Sequence, residues 1–193
     1  MPPLSERPQT IFVLPKINEA KLHLAAQLSS KGFQVWTPGI WPSGMQSWGG
    51  PHAVASFLAA VHIPYAPTTF ALYEHAAAGL LTFVPSRDLL VSLYEKRGLF
   101  FQATRHDFVT TGHQTSDLSP SLLLTTEWYA EENHACFVYF DSLDDLATKL
   151  RETDYRARRE ELREWAERHV NTTLARWRML DRALVRGGDG EVE

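Results

Sequence analysis

Apolar positions along the chain follow two periods. Residues 10–14, TIFVL, are apolar and β-branched and are closed by Pro15, which predicts a buried strand. The next segment, INEAKLHLAAQLSSKG, carries Ala20, Leu24 and Leu28 at helical spacing and stops at Gly32. It predicts one amphipathic helix of about four turns. Residues 33–36, FQVW, predict the second strand, so the chain opens on a parallel βαβ unit. Pro51 fits the first turn of a short helix, HAVASFLAA, because proline lacks only an N–H that would be unpaired there. AVHI (60–63) and LLTFV (80–84) read as the third and fourth strands, with a helix over 68–78 between them. DLLVSLYEKRG is a helix capped by Ser86 and stopped by Gly98. HACFVYF (134–140) predicts a fifth strand, and DSLDDLATKL a helix with Asp141 or Ser142 at its N-cap and acids in its first turn. From Tyr155 to about Val185 a stripe of Leu162, Trp165, His169, Thr173, Trp177 and Leu184 predicts one long helix.

Strands and helices in alternation imply an α/β fold: a Rossmann-like open, mostly parallel sheet with helices on both faces and a long C-terminal helix. The expected division is a flexible N-terminus at 1–9, a Rossmann-like domain at 10–153, the C-terminal helix at 154–185 and a disordered tail at 186–193. Two segments lack any period. Residues 37–51 are rich in Pro, Gly and Trp; Trp41 and Trp48 there read as hydrophobic lids over the core or, as the alternative, a stacking surface for a ring. Residues 99–128 hold scattered aromatics with His106 and His113, and a long irregular insertion of that kind is often functional.

Composition adds exclusions. In 193 residues, 44% are hydrophobic and 22% charged, which suits one domain with a substantial core. The net charge of -4 gives no electrostatic reason to expect nucleic acid as a partner. No apolar run approaches the length of a membrane span, so a soluble, cytoplasmic protein is expected. Cys136 is the lone cysteine, so no intrachain disulfide or Cys-based zinc site is expected; it reads as a small buried apolar residue. His62 falls inside a predicted strand and reads as a core residue; the spacing of His106, His113 and His134 specifies neither a metal nor a triad. No residue is assigned a catalytic role, and no metal or bound cofactor is expected.

The candidate chemistry lies in VHIPYAPTTFALYEHAAAGLLTFVPS, residues 61–86. A strand ends, Pro64 to Pro67 form a rigid bend, and Thr68 or Thr69 can cap the helix that follows. A helix N-terminus presents unpaired N–H groups and partial positive charge, which suits a phosphate. Glu74 lies about a turn and a half further on, and its carboxylate suits the paired hydroxyls of a ribose. The sequence has no Gly-x-Gly-x-x-Gly, Walker, His-Glu-x-x-His or Gly-x-Ser-x-Gly pattern.

This stretch resembles the nucleotide-sugar-binding segment in the C-terminal half of GT-B-fold glycosyltransferases, where a Pro-Ser/Thr turn enters a helix bearing a Glu, small residues and Gly. The segment EWYAEENHACFVYFDSLDDLATKL is similar to the tail of certain GT-B-like proteins, and the likeness covers roughly residues 10–150. The resemblance implies that Thr68 and Thr69 neighbour the donor's diphosphate, that Glu74 holds the ribose, and that Gly79 is a packing glycine. It also implies that Lys16 and Lys21, five residues apart, stand where many retaining members carry an Arg and a Lys facing the diphosphate. The substrate implied is a nucleoside-diphosphate sugar. Two features depart from the pattern: the position eight residues before Glu74 is Ala66 instead of a second glutamate, and the chain holds one Rossmann-like half where a full enzyme has two. Transfer is therefore expected to need a second domain, a partner chain or a homodimer that supplies the acceptor face. The alternative is a non-catalytic binding or scaffold module that has lost transferase activity.

Overall fold

In a computed structural model, residues 9–14, 16–37, 53, 55–67, 69–101, 123–124 and 126–188 are described. The order is β1 (Thr10–Val13), α1 (Ile17–Lys21), α2 (Leu24–Ser30), β2 (Gln34–Trp36), β3 (Ala59–Val61), α3 (Phe70–Ala77), β4 (Thr82–Pro85) and α4 (Arg87–Arg97). A short 3-10 helix (Glu131–Cys136) then leads into β5 (Phe137–Phe140), α5 (Leu143–Glu152) and α6 (Tyr155–Gly188). The five strands form one sheet in the order β2-β1-β3-β4-β5, and every pairing is parallel. This is the α/β, Rossmann-like arrangement that the alternation of elements predicts.

Sheet and helices pack on two faces. All residues of β1, β3 and β4 are buried, as strands covered on both sides must be. Alternate residues divide between the faces: Ile11, Val13, Val61 and Phe83 lie in one cluster, and Phe12, Leu14 and Ala60 in another. Polar contacts tie α1 to α4 and α2 to α5: Lys21 donates to Gly98 O (2.6 Å), Lys31 pairs with Asp144, and Arg151 donates to Lys31 O (2.8 Å). Elsewhere α3 meets α6, where the rings of Tyr73, Trp165 and His169 stack with centroids 4.8–6.2 Å apart.

Several boundaries follow their caps. The Ser86 hydroxyl accepts from Leu89 N–H at the start of α4, and Gly98 ends it in the left-handed region. Ser142 caps α5 by accepting from Asp145 N–H. Gly79, at φ +72, ends α3: Leu80 N–H reaches His75 O and Gly79 N–H reaches Ala76 O, both at 2.9 Å, a Schellman pattern.

Five expectations are corrected. The single helix after β1 is two, broken at Leu22 and His23, with His23 at φ +50. Leu24 and Leu28 are buried as predicted, but Ala20 is exposed and the buried face of α1 is Asn18 and Glu19. On a straight helix Asn18 and Leu24 would point about 120° apart; the break lets both turn inward. The third strand begins at Ala59, inside the segment assigned to a helix, because residues 59–61 pair with β1 and residues 60 and 61 also with β4. The helix after it starts at Phe70, not at residue 68. The fifth strand begins at Phe137, because residues 131–136 wind into the 3-10 helix whose Glu132 carbonyl accepts from Trp165 Nε1 (2.6 Å).

The long helix leaves the core halfway. Leu162 (0% exposed) and Trp165 (7%) belong to the same core cluster as the sheet, and buried Arg159 donates to the carbonyls of Phe57 and Leu58. No described residue from Val170 onward is buried. The expectations for Trp41, Trp48, Pro51, Thr68, His106 and His113 fall outside the described residues.

Candidate functional site at the reversal of strand order

The chain runs from β1 outward to β2, then returns past β1 to β3, β4 and β5. The direction reverses between β1 and β3, and in parallel sheets of this kind a crevice opens there beyond the carboxyl ends of the strands. Among the described residues, the connections at this point are 14 and 16 after β1 and 62–67 and 69 after β3.

At the mouth, exposed Lys16 is the N-cap residue of α1, and its Nζ lies 5.5 Å from the centroid of the Tyr65 ring. Thr69 occupies the N-cap position of α3 in extended conformation, but its side chain makes no capping hydrogen bond. Its hydroxyl is thus not committed to the helix, and the first N–H groups of α3 lack a side-chain cap from this residue. The loop is held from both sides. Asn18 Nδ2 donates to Pro64 O (3.1 Å) and Phe100 O (2.8 Å), while Asn18 Oδ1 accepts from Phe100 N–H (2.8 Å). On the other side Trp128 Nε1 donates to Ala66 O (2.7 Å) and Glu127 N–H to Pro67 O (3.0 Å).

Beneath the mouth lies a buried polar pair. Glu19 Oε1 accepts from Ile63 N–H (2.8 Å) and lies 2.6 Å from His62 Nδ1; the two side chains are 2% and 1% exposed. An ionised Glu19 carboxylate accepts here from the His62 Nδ1–H tautomer. Glu19 Oε2 and His62 Nε2 are buried and have no hydrogen-bond partner among the described residues. His62 is packed against Trp128 (centroids 4.9 Å apart) and Tyr65 (5.7 Å). It borders a cavity of about 10 Å³ that it shares with Thr69, His75 and Thr82, too small for any substrate. His75 is itself buried; desolvation, reinforced by neighbouring His62, pushes it down to about 4, so it is neutral at pH 7.

Lys16 heads α1 after β1 and Thr69 heads α3 after β3, at the two connections that flank the reversal of strand order. Lys21 is committed to Gly98 O at the end of α4. Glu74 is exposed on α3, whose Leu72, His75 and Ala76 are the buried positions. Gly79 stands at the opposite end of α3, at the entry to β4, where its positive φ serves the helix stop. Thr68 lies outside the described residues. Asn18, Glu19 and Tyr65 were missed by sequence reasoning. The available signal was polar Asn18 and Glu19 directly after an apolar strand, with His62 at the end of another; the adjacency of β1 and β3 that joins them is not written locally.

Two larger clefts lie elsewhere. One of about 610 Å³ is bordered by Tyr73, Glu127, Trp165 and Arg176, and one of about 810 Å³ by Arg87, Tyr129, His134 and Tyr139. Neither is lined by Lys16, Thr69 or Glu74. Among the described residues no cluster of three or more His, Cys, Asp or Glu is placed to hold a metal, and no helix is long and apolar enough to cross a membrane. Burial pushes the Cys136 thiol up to about 12 against a small opposing effect of Arg158, so almost no thiolate exists at neutral pH. Ellman's reagent is therefore expected to leave the native protein unlabelled and to label one thiol after unfolding in urea; rapid native labelling would contradict the buried placement.

The fold is a parallel α/β domain whose strand order reverses between β1 and β3, the place where open sheets of this kind bind ligands. Comparisons with family models, curated proteins and solved structures returned no match.

Proposed function

We propose that this chain binds a nucleoside-diphosphate sugar at the β1/β3 crevice. The observation that supports the reading is the position of Lys16 and of the N-terminal end of α3 on the two connections that flank the reversal of strand order. In this reading the diphosphate lies between the Lys16 ammonium and the leading N–H groups of α3, with the Thr69 hydroxyl as a further donor. The ring of Tyr65 already faces Lys16 and offers a surface for the base or sugar. Glu74, exposed one and a half turns into α3, is the acceptor for ribose hydroxyls. If glycosyl transfer occurs, Lys16 and the helix N-terminus stabilise the departing diphosphate electrostatically, and a second domain or partner chain supplies the acceptor face.

One observation favours binding without transfer by this chain alone. Among the described residues, the acid–base pair beneath the crevice, Glu19 and His62, is almost wholly buried, so neither group reaches a substrate hydroxyl. Calorimetric titration with UDP, GDP and their sugar conjugates tests the reading. Binding is expected, weakened at least about tenfold by Lys16→Ala, since a hydrogen bond to a charged group contributes roughly 1.5–3 kcal/mol. Glu74→Ala should weaken nucleotide binding while leaving inorganic diphosphate unaffected. Absence of heat with every nucleotide at millimolar concentration would remove the proposal.

A further inference from the structure

The distal half of α6 presents an apolar stripe to solvent with no described partner. Val170 (52% exposed), Leu174 (46%), Trp177 (65%) and Leu180 (54%) are large apolar side chains on a helix that has already left the core. Their spacing gives a heptad seam: Val170 and Trp177 at a, Thr173 and Leu180 at d, Leu174 beside them at e.

The charges flanking this seam change character along the helix. In its proximal half, Arg158 pairs with Glu161, Arg163 with Glu160 and Arg168 with Glu164, at three- or four-residue spacings within the helix. Beyond Arg168 no such pair forms among the described residues. Arg176 and Asp181, which flank the seam at g and e, are five residues apart and so point away from each other on their own helix. Five residues is the g-to-e′ spacing of two parallel helices, where Arg176 of one copy meets Asp181 of the other, twice by symmetry. An antiparallel pair sets g against g and e against e, and so does not bring Arg176 to Asp181.

We infer that the distal half of α6 is a dimerisation helix that pairs in parallel with α6 of a second copy of this chain, through Val170, Trp177 and Leu180 and across two Arg176–Asp181 ion pairs. The apolar seam supplies the association and the ion pairs set its direction, since exposed pairs contribute little energy. This inference stands independently of nucleotide binding.

Sedimentation equilibrium of the full chain over a range of concentrations tests it. A monomer–dimer equilibrium is expected, shifted to monomer by the double substitution Trp177→Glu and Leu180→Glu, with circular dichroism unchanged because both side chains are exposed. Arg176→Asp alone should weaken the dimer, and adding Asp181→Arg should restore it. Direction is read from Val170→Cys, which in a parallel pair meets itself and crosslinks under mild oxidation. A monomer at every concentration, a dimer indifferent to the seam substitutions, or a seam dimer that fails to crosslink through position 170 would each overturn the inference.

Discussion

Replacing Glu19 by alanine is expected to destabilise the fold by about 3–5 kcal/mol, the usual cost of breaking a buried pair by removing one partner. The carboxylate oxygen Oε1 serves Ile63 N–H and His62 Nδ1 together, 44 and 43 residues away in sequence. Alanine leaves both donors buried without an acceptor, at about 1–3 kcal/mol each, and opens a void beside them. Glu19→Gln keeps an amide oxygen in the same place and should cost only about 1–2 kcal/mol. Urea denaturation followed by tryptophan fluorescence at pH 7 separates the two variants. A loss under about 1 kcal/mol for alanine would mean that water or a tautomer change satisfies the site, and that the pair does not hold the crevice loop. Because Glu19 fixes the start of the loop after β3, the same substitution should also lower nucleotide affinity.

Acid is expected to destabilise the protein through His75. In the folded chain this imidazole is held at about 4 by burial and by neighbouring His62, against an ordinary value of 6.5. The unfolded chain therefore binds the proton first as pH falls. His75 makes no pH-dependent loss above about 6.5; below it, stability drops by up to about 1.4 kcal/mol per pH unit until the folded form also protonates near 4. The whole loss from this residue is up to about 3 kcal/mol. Carboxylates titrate in the same window, so the informative quantity is the difference between wild type and His75→Gln. That difference in unfolding free energy should change steeply between pH 6.5 and 4; parallel pH profiles for the two proteins would contradict the burial account.

Most of the architecture is legible in the sequence because local rules and tertiary packing agree there. The runs at 10–14 and 80–84 are apolar and bounded by breakers, and they become β1 and β4. Ser86 and Gly98 delimit α4 residue for residue, since a hydroxyl cap and a left-handed glycine act within one turn. The break at Leu22 and His23 was not legible: no Pro or Gly marks it, and its cause is the distant need to bury both Asn18 and Leu24. The Glu19–His62 pair was hidden for a related reason. Strand order decides which loops meet, and the placement of β3 beside β1 is a non-local outcome. Glu74 illustrates the limit of a motif. Its spacing from Thr69 can be read from the sequence, but Ala71, Leu72, Ala76 and Ala77 make α3 apolar on several sides, so the pattern does not say which way Glu74 points. Trp177 is the converse: on the stripe with Leu162 and Trp165 in sequence, it lies beyond the sheet that buries them.

The most direct test of the crevice is an NMR titration of isotope-labelled protein with UDP and GDP, following backbone amides. The account predicts saturable shifts concentrated at Lys16–Glu19, His62–Tyr65 and the first turn of α3, lost in Lys16→Ala. Shifts confined to the cleft around Tyr73, Trp165 and Arg176, or no shifts at millimolar nucleotide, would contradict it.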